Sequence, residues 1–283
     1  MINLGEYNEL LALRKEGPGA FLVHPSEAEL GEKAQTVLLP NAYIPADFEV
    51  GSLLTVFVYL DSEDRIIATN LKPKALVGEF AFLTVKEVNQ VGAFLDWGLA
   101  KDLLVPYQHQ AQEMLEGMSY LVYVRLDEKS NRIIASSKLN QYLSNELLAL
   151  EEGQEVDLIV INHSDLGYNV IVEGKHKGLI FNDSVFQKLE SGQKLKGFIK
   201  QIRPDNKIDV VLQQTGVSSF EPNAQKILAY LENHNGFAEI GDKSDPEFIY
   251  QELGISKKSF KKALGLLYKQ KQVELDPKGI RLI

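Results

Sequence analysis

Cysteine is absent from the 283 residues, which excludes a disulfide, a thiolate zinc site and a cysteine nucleophile. Long apolar runs are absent too. The longest, Leu53 to Leu60, is broken by Thr55 and is far too short to span a bilayer. The opening residues, Met1-Ile2-Asn3-Leu4-Gly5-Glu6, lack the basic segment and apolar stretch of a secretory signal. A soluble cytoplasmic protein with no membrane partner is the expectation. Catalytic signatures are also missing. The five histidines, His24, His109, His163, His176 and His234, are dispersed, and no H-E-x-x-H or H-x-E…C-x-x-C pattern occurs. There is no Walker lysine motif, no G-x-G-x-x-G and no G-x-S-x-G. No cofactor, metal or catalytic residue is therefore expected.

Positive charge is short overall, with a formal net charge of −9. The distribution matters more than the sum. From Pro222 onward there are 10 Lys and Arg against 8 Asp and Glu, whereas the preceding residues carry 20 against 31. The acidic part argues against tight binding of duplexes through a broad phosphate footprint. A groove that holds single strands by aromatic stacking is compatible with it.

What the sequence does have is an internal repeat. Leu103-Leu104-Val105-Pro106 is followed by Gly117, then Leu121 to Asp127, then Arg132-Ile133-Ile134-Ala135-Ser136. The same order runs 66 residues earlier through Val37-Leu38-Leu39-Pro40, Gly51, Val56 to Asp61 and Arg65 to Thr69. It returns 75 residues later, more loosely, as Gly178-Leu179-Ile180-Phe181, Gly192, Ile199 to Asp205 and Lys207 to Val210. Each copy opens with a glycine-containing strand, at Gly19, Gly92 and Gly167. Val122 and Val124 alternate with Tyr123 and Arg125, the period of a strand with one buried and one exposed face. Gly92 inside such a pattern predicts a bulge or barrel-corner kink. Units of about 65 residues with about five short strands fit the OB-fold, an oligonucleotide-binding barrel.

The second copy resembles the S1 RNA-binding domain. Residues 91–98, V-G-A-F-L-D-W-G, match its opening element and Arg132 to Ser136 its closing one. The resemblance implies an RNA-binding face of two aromatics, a histidine, an aspartate and an arginine. These fall on Val91, Phe94, Pro106, Asp127 and Arg132 in the second copy. In the first they fall on Pro18, Phe21, Pro40, Asp61 and Arg65, and in the third on Leu166, Asn169, Phe181, Asp205 and Lys207. The first aromatic is missing from every copy and the histidine is proline twice, so the fold is inherited more safely than the ligand. Nearby residues offer a rebuilt platform: Trp97, Lys101, Tyr107 and Arg125 in the second copy, and Tyr168, Lys175 and Lys177 in the third. The plain alternative is that these aromatics are packing, and that Arg65 and Arg132 pair with Asp61 and Asp127 as ordinary surface ion pairs.

After Gln213 the pattern changes. Residues 215–219 read as a linker. Pro222 suits a helix start, with Ile227, Leu228 and Leu231 at helical spacing. Asp245-Pro246 reads as an N-cap and first-turn proline for a helix carrying Phe248, Ile249 and Leu253, stopped by Gly254. Ser256 caps a third helix with the apolar stripe Phe260, Ala263, Leu264 and Leu267. From Ser256 to Lys271 there are six lysines and no acid, among them Lys257, Lys258, Lys261 and Lys262. A helix, a glycine turn and a basic helix form a helix-turn-helix pattern, and residues 273–283 read as a hairpin wing. Lysine lacks the fork by which arginine reads guanine, so phosphate contact is expected rather than base readout. The strings D-K-S-D-P-E-F-I-Y (242–250), S-K-K-S-F-K-K-A-L-G-L-L-Y-K (256–269) and I-R-P-D-N-K-I-D-V-V-L-Q (202–213) resemble the conserved virulence factor B family of Firmicutes. That resemblance implies tandem S1 domains, a terminal winged helix and a role as an RNA-binding regulator of gene expression.

The expected architecture is mainly β: three tandem OB-type barrels over residues 1–72, 73–145 and 146–214, the first degenerate, then an α+β winged helix over 220–283. Its partner is RNA, single-stranded by preference, with DNA as a further ligand of the winged helix. The first barrel is expected to be mainly structural. A protein-interaction scaffold is the rival reading, since fold does not fix function.

Overall fold

The computed structural model describes residues 2–185, 188–212, 222–276 and 278–283. The segment 215–219, expected as a linker, lies outside them. The chain divides into two compact units, Met1–Leu212 and Gln213–Ile283.

In the first unit the repeat becomes three closed five-stranded barrels among the described residues. The first is built from β1 (Tyr7–Glu16), β2 (Gly19–Val23), β3 (Thr36–Pro40), β4 (Leu53–Leu60) and β5 (Ile66–Thr69). The second uses β6 (Phe80–Asn89), β7 (Gly92–Asp96), β8 (Leu103–Pro106), β9 (Ser119–Leu126) and β10 (Ile133–Ser136). The third uses β11 (Glu155–His163), β12 (Gly167–Val172), β13 (His176–Phe181), β14 (Lys194–Ile202) and β15 (Ile208–Val211). In every barrel the strands close in the order first, second, third, fifth, fourth, with the third and fifth parallel. This is the OB arrangement that the repeat predicted.

The bulge expected at Gly92 lies elsewhere. The register slips in the partner strand β6, between Val85 and Glu87, and at the matching points of β1 and β11. Gly92 serves a close approach instead: a Cβ there would lie 2.3 Å from the Val105 carbonyl oxygen across the β7–β8 ladder. At Gly167 the same atom would meet the Ile180 oxygen at 2.0 Å. Gly92→Ala should therefore push β7 from β8 and cost about 1–3 kcal/mol, read as a fall in the urea midpoint. A midpoint equal to wild type would show that the two strands have slack.

Inward residues alternate as expected. Leu10, Leu22, Val37, Val56 and Val58 fill the first barrel, and Val122 and Val124 are fully buried in the second. The outward face of β9, expected to be exposed, is only partly so, because the next barrel covers it. Tyr123 stacks on Tyr142 at 4.2 Å and packs on Phe80, in a cluster that includes Ile171 of the third barrel. The first and second barrels join in the same way. Phe57 and Tyr59, outward on β4, enter one core with Trp97, Leu99 and Leu103 of the second barrel.

The second unit comprises α1 (Pro222–Asn233), β16 (Phe237–Ala238), α2 (Pro246–Leu253), α3 (Lys257–Lys269), β17 (Val273–Asp276) and β18 (Gly279–Leu282). The caps are those the sequence predicts. Asp245 accepts a bond from the Glu247 amide, Gly254 closes α2 at φ 63°, and Ser256 accepts from the Ser259 amide. Phe260, Leu264 and Leu267 of α3 pack with Ile227, Leu231, Ile249 and Ile280. Phe248, expected among the apolar residues of α2, is instead 40% exposed. The three strands order as β16-β18-β17, giving the wing beside the helices. No described helix is long and apolar enough to cross a membrane.

Candidate nucleic-acid interface

Strand pairing carries one outward row across each barrel. In the second it runs Glu87, Phe94, Leu104, Ile134; in the first Arg14, Phe21, Leu38, Ile67; in the third Asn162, Asn169, Leu179, Asp209. The rows occupy equivalent positions but differ in chemistry. In the first, the Arg14 guanidinium lies 4.5 Å from the Phe21 ring centre. In the third, Arg203 lies 5.5 Å from the Phe181 ring while its Nε and Nη2 each reach Asp209 at 2.9 Å. In the second, the residue opposite Phe94 is the acid Glu87, and among the described residues no cation sits over the ring. Phe94 is half-buried and lines a cavity at the edge of the row.

Four expected contact residues converge on this row. Phe94, Trp97, Lys101 and Arg132 line one cavity of about 170 Å³. They do not all play the expected part. Trp97 is 3% exposed, stands edge-on to Phe57 at 5.8 Å and donates its indole N–H to the Lys101 carbonyl at 2.6 Å. A base cannot stack on a ring enclosed between two barrels, so Trp97 is a packing residue. Lys101 is drawn across the same junction, donating to the carbonyls of Leu60 and Asp61 at 3.1 and 2.5 Å. Burial holds its ammonium below the usual lysine range. Arg132 is exposed and pairs with Asp64 of the first barrel, rather than with Asp127. Arg65 does pair with Asp61, at 2.7 Å.

The remaining candidates are scattered. Tyr107 is 49% exposed and its hydroxyl donates to the Asn89 carbonyl. Arg125 faces a separate polar cavity of about 310 Å³ with His109, Asp127 and Lys129, and contacts the Tyr142 hydroxyl at 3.5 Å. Tyr168 is 9% exposed and lies against His163, so it too packs rather than presents a face. Lys175 and Lys177 are exposed on the β12–β13 hairpin, and Lys207 is exposed but paired with Asp205 at 2.7 Å. On α3, Lys258, Lys261 and Lys262 are exposed, whereas the Lys257 ammonium bonds the Ser244 carbonyl at 2.7 Å.

Sequence reasoning missed Tyr59, Leu60 and Asp64, through which the first barrel reaches the cavity and Arg132. A signal was present. Leu53 to Leu60 is apolar at nearly every position, which marks a strand covered on both faces.

Tandem barrels of OB topology followed by a winged helix define a class of nucleic-acid-binding protein, and comparison with known proteins agrees. Residues 4–71 match the S1 domain family and residues 225–282 the CvfB-like winged helix domain. Neither matched domain is an enzymatic one, and the S1 match supports a general RNA-binding role. It falls on the first barrel, in which Pro18 and Pro40 replace two of the S1 contact residues. The chain is 26% identical over 251 residues to the uncharacterized protein YitL of Bacillus subtilis, covering 86% of this chain and 84% of that protein. It is 24% identical over 252 residues to conserved virulence factor B of Staphylococcus aureus, covering 83% and 81%. The resemblance to the conserved virulence factor B family of Firmicutes is thereby borne out. A crystal structure of a multidomain protein with nucleic acid binding domains from Streptococcus pneumoniae aligns over 99% of this chain and 98% of that one, at 25% identity and a TM-score of 0.44.

Proposed function

We propose that this chain is a non-catalytic cytoplasmic RNA-binding protein that regulates gene expression by holding single-stranded RNA. The second barrel provides the stacking surface, and the lysines of α3 add phosphate contacts. The Phe94 ring carries the reading: at the equivalent position the first barrel has Phe21, already covered by Arg14, and the third has Asn169, which offers no ring. A base stacked on an aromatic ring contributes about 1–3 kcal/mol without sequence preference. Arg132 stands at the edge of the row, and an exposed ion pair such as Arg132–Asp64 contributes about 0–1 kcal/mol. A phosphate can therefore take the guanidinium from Asp64 at little cost. DNA is a weaker ligand of α3 in this account.

Tethered weak sites reinforce one another through effective concentration. Lys258→Glu combined with Lys261→Glu should weaken binding of a labelled single-stranded RNA in fluorescence anisotropy. It should also flatten the plot of log affinity against log salt by about 0.7 for each phosphate no longer neutralised. An unchanged slope would remove α3 from the interface. The exposed Phe248, Tyr250 and Tyr268 of the second unit favour the rival scaffold reading. An interface of that kind would respond little to salt.

A further inference from the structure

The cavity beside Phe94 is not a property of the second barrel alone. Tyr59 and Leu60 of β4 form one side of it, and Phe94, Trp97 and Leu104 the other. The apolar lining is interrupted by few polar groups, the composition of a small-molecule pocket. Tyr59 is 3% exposed, yet its hydroxyl makes no hydrogen bond among the described residues. Burial pushes its pKa up to about 12, with Tyr43 and Asp61 adding to the rise, so it remains a neutral donor. A phenol enclosed to this degree normally has a partner. No sealed side-chain polar atom lacks one among the described residues, so the Tyr59 hydroxyl still meets open space. The Lys101 ammonium spends two bonds on Leu60 and Asp61, leaving a third donor. Arg132 completes the lining on the Asp64 side.

We infer that this cavity is a composite nucleotide subsite, in which one base inserts between the first and second barrels and Tyr59 donates to its polar edge. The inference rests on the proposed RNA-binding role and adds a specific pocket to it. The cavity of about 170 Å³ is close to the roughly 150 Å³ that encloses a benzene ring. A one-ring base fits such a volume more closely than a purine does. Phe94 provides the apolar face, Tyr59 and Lys101 supply donors for carbonyl oxygens, and Arg132 meets the adjoining phosphate. The first barrel, expected to be a structural spacer, thus contributes a ligand-contacting residue.

Trp97 lines the cavity and is the chain's only tryptophan, so its emission reports occupancy. Titration of the full chain with hexauridylate should quench that emission, and hexaadenylate should quench it far less. Tyr59→Phe removes one oxygen and should raise the half-quenching concentration about 3–10-fold. Leu104→Phe, which adds volume inside the cavity, should abolish the quench. If hexauridylate binds by anisotropy while Trp97 emission and the Tyr59→Phe affinity stay unchanged, the pocket is overturned and the stacking surface survives. Equal quenching by both oligomers would overturn the one-ring assignment. Failure of the wild-type chain to bind either oligomer would overturn the pocket together with the RNA-binding role.

Discussion

Trp97→Ala should lower stability by about 3–5 kcal/mol, the cost of emptying a large aromatic site in a core. The ring is enclosed by residues of two barrels, touches Phe57 edge-on and satisfies its N–H on the Lys101 carbonyl. Truncation leaves a void at the junction and strips the Lys101 carbonyl of its donor. For a unit of this size each kcal/mol moves Tm by about 2–4 °C, so a downward shift of roughly 10 °C is expected in calorimetry. Any weakening of RNA binding by this variant follows from loosening the junction and reshaping the cavity that Trp97 lines. Near-wild-type stability combined with lost binding would contradict the packing assignment and restore Trp97 as an exposed contact.

Phe94→Ala should do the opposite. The ring is half-buried on the outer row, so stability should change little, while RNA affinity falls by about 1–3 kcal/mol, roughly 5–150-fold. Phe21→Ala is the matched control, because Arg14 already covers that ring. It should leave RNA affinity unchanged. Equal losses from Phe21→Ala and Phe94→Ala would mean that the arginine does not shield the first barrel, and the case for one privileged barrel would fail.

The fold was legible because the repeat carried it. Three copies with glycines at matched points and period-two strands define a small barrel, and the caps at Asp245, Gly254 and Ser256 define the winged helix. Contacts between barrels were harder to read, because periodicity reports the fold of each strand and not what covers its outer face. Trp97 and Tyr168 resembled surface aromatics in sequence. A neighbouring barrel encloses the first, and His163 with the third barrel's own core encloses the second. Arg14 over Phe21 depends on strand register across a bulge, which no local pattern reveals. The one available clue was the two-sided apolar character of β4, whose outward Phe57 and Tyr59 announce a covered face.

The most direct measurement is fluorescence anisotropy of the full chain with a labelled single-stranded RNA and a matched duplex, at two salt concentrations, for wild type, Phe94→Ala and Phe21→Ala. Salt-sensitive binding that favours the single strand, lost in Phe94→Ala and kept in Phe21→Ala, is the predicted result. Binding that ignores Phe94, or no binding of RNA at any salt concentration, would contradict the account and turn attention to a protein partner.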